Sequence, residues 1–198
     1  MHVRKKESSM STSNNFYLNR RSVLARKMIA DPIDKNDLNK IVQAGIRVPD
    51  HGALNPWKLI IIQGEKLVKI DQEIILNEYI KKNPNADKNV LEVESKRLQR
   101  AGAVIAVLSK PINHPKIPLW EMQLSSGAVC MNLLSCAQSL GYAAQWLTEW
   151  YSYNEKMIAY FGGRVGVDKI SGFIYIGHKK EEPKERKRPN PTDVISYL

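Results

Sequence analysis

The sequence has no apolar run approaching the ~18 residues that a membrane-crossing helix needs. Its charged start is followed by no apolar stretch of the kind a secretory signal carries. The expectation is a soluble chain with no membrane partner, working in the cytoplasm. Cysteine is scarce. Cys130 and Cys136 are the only two; six apart in one helical pattern, they face different sides and cannot be bridged. Reduced core thiols fit a cytoplasmic setting. The motifs that carry most side-chain chemistry are missing as well: there is no HExxH, CxxC, GxSxG, P-loop or GxGxxG. Four histidines, at 2, 51, 114 and 178, are too scattered for a metal cluster. No metal site and no catalytic side chain is therefore assigned; if the chain is an enzyme, a cofactor does the work.

What is present is bulk and positive charge. At 198 residues, 43% of them apolar, the chain can bury one sizeable core, and one domain is expected. Its formal charge of +10 is gathered at the ends: Arg4, Lys5 and Lys6 open the chain, and Lys179, Lys180, Lys184, Arg186, Lys187 and Arg188 come near its close. With no helix-turn-helix, zinc-finger or RNP-type motif beside them, these runs read as solvated tails, and no nucleic-acid partner is expected. Residues 1–13 are polar and Ser-rich. They are read as a disordered stretch or start-site extension ahead of Met10, leaving 14–198 as the folded domain.

The stretch 44–62 organises the rest. A helix opened by Asp34, with Asp37 three residues on as a capping box with a shorter acid, carries Leu38, Ile41, Val42, Gly45 and Ile46. It delivers Arg47 before Pro49 stops it. Asp50, His51 and Gly52 turn the chain, and beyond Pro56 the run 57–62 reads as a strand covered on both faces. A polar loop between two buried elements is either a ligand-binding loop or a plain connection with its polar residues in water. Upstream, a helical segment at Phe16, Tyr17 and Leu18 runs into Arg20, Arg21 and Ser22, where two adjacent guanidiniums either meet an anion or sit exposed. Gly64 leads into a helix bearing Leu67, Ile70, Ile74 and Ile75; residues 81–89 break the pattern, and Val90, Val93, Arg97 and Arg100 mark a further short helix. Residues 103–109 and 170–176 read as two more strands. The longest helix, 119–140, is dense in small residues and ends at Gly141, a left-handed cap. It packs either at a subunit interface or under a sheet. Residues 142–150 carry two tryptophans, 154–161 form a short helix, and the apolar end from Val194 to Leu198 should pack on something.

Four motifs now stand in order: Arg20-Arg21-Ser22; Arg-x-Pro-Asp-His followed by Asn-Pro-Trp at 47–57; Leu-Gly-Tyr-x-x-x-Trp at 140–146; and Lys-Ile-x-Gly-Phe-Ile-Tyr-Ile-Gly at 169–177. Together they resemble the nitroreductase family, and more narrowly its compact YdjA-type members, from about Asn14 onward. The resemblance implies an α+β fold with a mostly antiparallel central sheet surrounded by helices, and a homodimer with one FMN in each of two interface sites. On the same ground Arg20, Arg21 and Ser22 would hold the flavin phosphate and ring edge, and Arg47 and His51 would come from the other subunit. Trp146, Leu147 and Thr148 would line the flavin, and Arg188, or else Arg186, would reach the phosphate. Arginine forks match phosphate bidentately, and a hydroxyl can complete the cradle. The implied activity takes hydride from NADH or NADPH and passes electrons to nitro compounds, quinones or a related small-molecule acceptor, with no side chain indispensable as acid or base. One departure stands out: close YdjA-type relatives carry an arginine after the tryptophan, and this chain has Leu147, then Thr148 and Glu149. Two other readings stay open, a flavin enzyme of the same fold using oxygen on a dedicated metabolite, and a non-catalytic basic binding protein.

Overall fold

The computed structural model describes residues 12–198. Most of the expected N-terminal extension, up to residue 11, lies outside the described residues, and the boundary expected after residue 13 falls inside a helix. In chain order the elements are α1 (Thr12–Asn19), β1 (Met28–Ile29), α2 (Lys35–Gly45), β2 (Trp57–Gln63) and α3 (Glu65–Ile70). Then come α4 (Asn77–Lys82), α5 (Lys88–Glu94), β3 (Ala103–Ser109), α6 (Leu119–Ser139) and β4 (Ala143–Leu147). The last are α7 (Glu155–Tyr160), β5 (Lys169–Lys179) and α8 (Pro191–Val194).

All pairings in the five-stranded sheet are antiparallel, in the order β1-β5-β3-β2, and β4 also pairs with β5. β5 is long enough to serve three neighbours. Its residues 169–176 pair with β3, while Phe173–Gly177 and then His178 and Lys179 pair with β4 and β1. Side chains alternate across a strand, so β3 feeds two cores. Ala103, Ile105 and Val107 join α2 and α6 on one face; Val104, Ala106 and Leu108 meet the 67–75 helical region, Tyr151 and Phe173 on the other. The fold is thus α+β with an antiparallel sheet flanked by helices, as the sequence motifs implied.

Several local readings hold and several are corrected. β3 is buried throughout, as its continuous apolar run predicts. β2 is not covered on both faces. It pairs only with β3, and Lys58, Ile61 and Gln63 are exposed, Lys58 reaching over the end of α7 to donate to the Phe161 carbonyl (3.2 Å). α2 stops at Gly45, two residues short of Arg47, and Asp34 caps it by accepting the Asn36 and Asp37 amides. The box is only half made, since Asp37 instead binds Lys40 and accepts the Tyr142 hydroxyl (3.0 Å). α6 packs under the sheet beside α2, so closely that a Cβ at Gly45 would overlap Leu133. It ends in a Schellman arrangement: Gly141 (φ 90°) and Tyr142 donate their amides to the carbonyls of Gln138 and Ala137. β4 and β1 are strands the sequence reading did not separate from loop. The apolar end Val194–Leu198 packs on nothing in the protomer; Val194, Ile195, Tyr197 and Leu198 are exposed. Both cysteines are free, Cys130 buried in the α6 core. Among the described residues no helix is long and apolar enough to cross a membrane.

Candidate functional site

Three segments far apart in sequence meet at β4. The chain following α1 runs alongside it: the Val23 amide donates to the Ala144 carbonyl (3.2 Å), and the Ala25 amide to Gln145 Oε1 (2.5 Å). From the last turn of α6, Gln138 Nε2 bridges the two by donating to the carbonyls of Arg21 (2.9 Å) and Ala144 (3.3 Å). The third segment follows β5. Arg21 Nε and Nη2 donate to the Lys184 carbonyl at 3.2 and 3.1 Å. The Glu185 carboxylate then stands between two guanidiniums, its Oε1 3.8 Å from Arg21 Nε and 3.0 Å from Arg188 Nη2. The Arg186 amide, and with it the charges of Arg188 and Arg21, hold the Glu185 carboxyl below the usual carboxylate range.

Two cavities flank this junction. One, of about 340 Å³, is lined by Arg20, Arg21, Gln138 and Tyr142. The other, of about 500 Å³, lies between Arg21, Ser22 and Lys27 on one side and Glu181 and Lys184 on the other. Gln138 Oε1 is buried without a hydrogen-bond partner. The two carbonyls that its Nε2 serves fix which way the amide points, so this acceptor stays unanswered beside the arginines.

The three residues expected at the end of β4 face different ways. The Trp146 indole is turned toward α6, donating from Nε1 to the Ser171 carbonyl (3.0 Å) and lying over Gly172, where a Cβ would fall inside it. Leu147 takes the opposite face and packs on the Tyr151–Phe173 cluster. Thr148 is exposed. Trp146 thus spends its ring on the sheet, and the backbone of 146–148 is what remains to meet a ligand.

Arg47 and His51 lie elsewhere. Arg47 is exposed and lines a cavity of about 620 Å³ with Phe16, Tyr17, Asn132 and Cys136; its carbonyl accepts from Asn132 Nδ2 (2.8 Å). His51 Nδ1 sits 2.6 Å from Glu121 Oε2 at the start of α6, both side chains open to solvent. Its loop is conformationally costly, with Gly52, Ala53 and Asn55 at φ 73°, 50° and 48°. Asp50 steadies it by accepting the Asn55 amide (2.7 Å).

The structure therefore gathers Arg20, Arg21, Ser22 and, through Glu185, Arg188 beside the Ala144–Gln145 part of β4. Among the described residues no hydrogen bond or ion pair joins them to 146–148 or to His51, and Arg47 lines a separate cavity that shares Phe16 with theirs. Sequence reasoning missed Gln138, Gln145 and Glu185. A lone glutamine near the end of an apolar helix was a readable signal for Gln138. Nothing local couples Arg21 to a tail 163 positions away.

The sequence profile of the nitroreductase family matches residues 17–178. The Escherichia coli (strain K12) protein named "Putative NAD(P)H nitroreductase YdjA" is 28% identical over 183 residues, covering 91% of this chain and 96% of that one. Among solved structures, a nitroreductase-like family protein from Bacillus cereus superposes with a TM-score of 0.76 at 21% identity, over 96% of this chain and 98% of its own. A nitroreductase with bound FMN from Bacteroides fragilis NCTC 9343 gives 0.70 at 21% identity, over 96% and 100%. With the profile matched over most of its length and the fold shared end to end, this chain belongs to the nitroreductase family.

Proposed function

We propose that this protein is an FMN-dependent NAD(P)H oxidoreductase that carries hydride from a nicotinamide to FMN and on to nitro compounds, quinones or a related small acceptor. The observation that carries the reading is the Glu185 carboxylate held between Arg21 and Arg188 at the edge of β4. A pair of guanidiniums that already takes a carboxylate suits a phosphate. Beside it, the unanswered Gln138 Oε1 suits a ligand hydroxyl. The names of the family, of the Escherichia coli relative and of the FMN-bound structure support the same cofactor and donor.

On this reading Arg20, Arg21 and Ser22 hold the phosphate and the ring edge, and Arg188 reaches the phosphate. The backbone of Trp146, Leu147 and Thr148 lies along the ring. FMN supplies the hydride acceptor and donor; the chain supplies binding, orientation and electrostatics. Arg47 and His51 serve the site of a second copy in a homodimer. The exposure of both supports that assignment, as do Leu119, Trp120 and Leu124 exposed along α6 near His51's partner and the uncovered apolar tail. Apolar surface of this kind is what an obligate interface covers.

The test is direct. Purified protein should be yellow with a flavin spectrum, sediment at twice its 22.5 kDa chain mass, and be reduced by NADH or NADPH in stopped flow. A colourless protein whose apo form binds no added FMN would overturn the reading. A monomer that holds FMN would overturn the dimer alone.

A further inference from the structure

Nothing in the sheet fixes the chain just beyond the strand end. The β4–β5 ladder closes at Leu147 opposite Phe173, and Thr148 is exposed. The next residue is held by its carbonyl, which accepts the Ser152 amide (2.9 Å), and by charge. Glu149 Oε1 lies 3.1 Å from Arg100 Nη2 and 3.5 Å from Arg97 Nη1. Arg97 in turn makes a two-pronged pair with Glu94, whose Oε2 also accepts from Trp150 Nε1 (2.9 Å). Arg100 Nε donates to the Arg97 carbonyl (2.7 Å), and its guanidinium lies over the Tyr175 ring of β5 at 5.3 Å. These four side chains, two acids and two bases, are only 3 to 23% exposed. In such a setting an ion pair is geometrically strict, because removing one partner leaves a charge uncompensated.

The Glu94–Arg97 pair spans three residues within its own segment and would stabilise that segment without help. Glu149 is different: its carboxylate reaches only these two arginines, across 49 and 52 positions. The contact stabilises no helix; it joins the end of the strand to a buried, rigid partner.

We propose that Glu149 is a positioning residue for the flavin wall: clamped by Arg97 and Arg100, it fixes the 147–149 backbone against which the isoalloxazine ring lies. The inference rests on the proposed function and adds to it a residue that never touches the cofactor. The Leu147 side chain packs on the Tyr151–Phe173 cluster, so on this reading only its backbone is left for the ring, and that backbone is tied down from behind.

The experiment uses the full-length apoprotein, titrated with FMN and with riboflavin, which keeps the ring and lacks the phosphate. A wall loosened enough to forfeit about 1.4 kcal/mol of contact costs tenfold in binding. Glu149→Ala should therefore weaken both flavins by the same factor of about ten and alter the visible fine structure of bound flavin. Glu149→Gln, which keeps an acceptor oxygen and loses the charge, should recover only part of the affinity for both. A purely structural role would lower the melting temperature and leave the affinity and spectrum of the folded fraction unchanged; that result would overturn the proposal. Where the alanine variant fails to fold, Arg97→Lys serves instead, with the same equal loss expected and wild-type affinity for both flavins overturning it. Wild-type protein that binds neither flavin would sink the proposed function and this inference with it. Binding by wild type with no change in the variants would sink this inference alone.

Discussion

The protein holds a carboxylate between two arginines in two places, and they do opposite things. Glu185 sits between Arg21 and Arg188 at the surface, with side-chain exposures of 63, 21 and 53%. Glu149 sits between Arg97 and Arg100, all three 23% exposed or less, and backed by Glu94. Coulomb attraction is screened and weak in the first and poorly screened in the second. On the proposed function the first is an anion site whose occupant can be exchanged; on the further inference the second is a joint. What separates the two is the burial of the carboxylate, 63% exposed in Glu185 against 23% in Glu149, since Arg21 and Arg100 are equally exposed at 21%.

The largest expected effect lies on the buried side. Glu94→Ala strips Arg97 of its bidentate partner and Trp150 of its acceptor, leaving a guanidinium uncompensated out of water. The cost should be about 3–5 kcal/mol, a fall in Tm of roughly 10 °C, read by calorimetry. A loss under about 1 kcal/mol would make the buried group no stronger than the exposed one and erase the contrast.

A buried acid without an ion-pair partner sharpens it. Asp71, fully buried, is met by neutral donors: the amides of Leu98 (2.8 Å) and Gln99 (3.2 Å) and Gln99 Nε2 (3.0 Å). Burial pushes its carboxyl up to about 6, against those hydrogen bonds. With the folded value above the unfolded one, the folded state holds more protons in between. This group's contribution to stability is thus full at low pH and lost as pH rises from about 4 to about 6, amounting to roughly 3 kcal/mol. Glu78, held down to about 2 chiefly by its hydrogen bond to Lys81, works in the other sense, losing its contribution as pH falls. The clean measurement is therefore the difference in Tm between Asp71→Asn and wild type across pH 4 to 7. It should shift in favour of the variant as pH rises, and a difference independent of pH would remove Asp71 as the cause.

On the exposed side the readout is binding. Arg21→Ala should weaken FMN by about tenfold to a hundredfold, the worth of one charge-assisted hydrogen bond. Riboflavin should weaken little, and the fold should survive. Equal loss for both flavins would move Arg21 from the phosphate to the ring. The smallest effect belongs to Glu185→Ala. Losing an exposed pair should leave Tm essentially unchanged, while FMN binding tightens about two- to threefold as the internal competitor leaves. Weaker FMN binding would mean that Glu185 builds the site rather than occupying it.

The same distinction governs what could be read before any coordinates. β3 and the core of β5 were legible because a strand covered on both faces must be apolar throughout. β4, Ala-Ala-Gln-Trp-Leu, was not: it is short, sits at an edge, and spends its glutamine on the Ala25 amide rather than on a pattern. Arg21 and Ser22 were singled out through the company of four motifs. Arg97 and Arg100 were read only as beats in a helical spacing, because their carboxylate arrives from some fifty residues downstream. His51 and Arg47 were named together, and they meet α6 at different places, at Glu121 and at Asn132; the loop's left-handed Ala53 and Asn55 left no mark in composition.

Gly172 carries a consequence for how this sequence can drift. The Trp146 indole occupies the space a Cβ would fill, so the two positions are not independently substitutable. Alanine at 172 is tolerable only once residue 146 has become smaller, and shrinking 146 alone opens a void and frees the strand end. The path between present and altered forms of this pair therefore crosses a less fit intermediate whichever change comes first, and a library that randomises either site singly will return the parent.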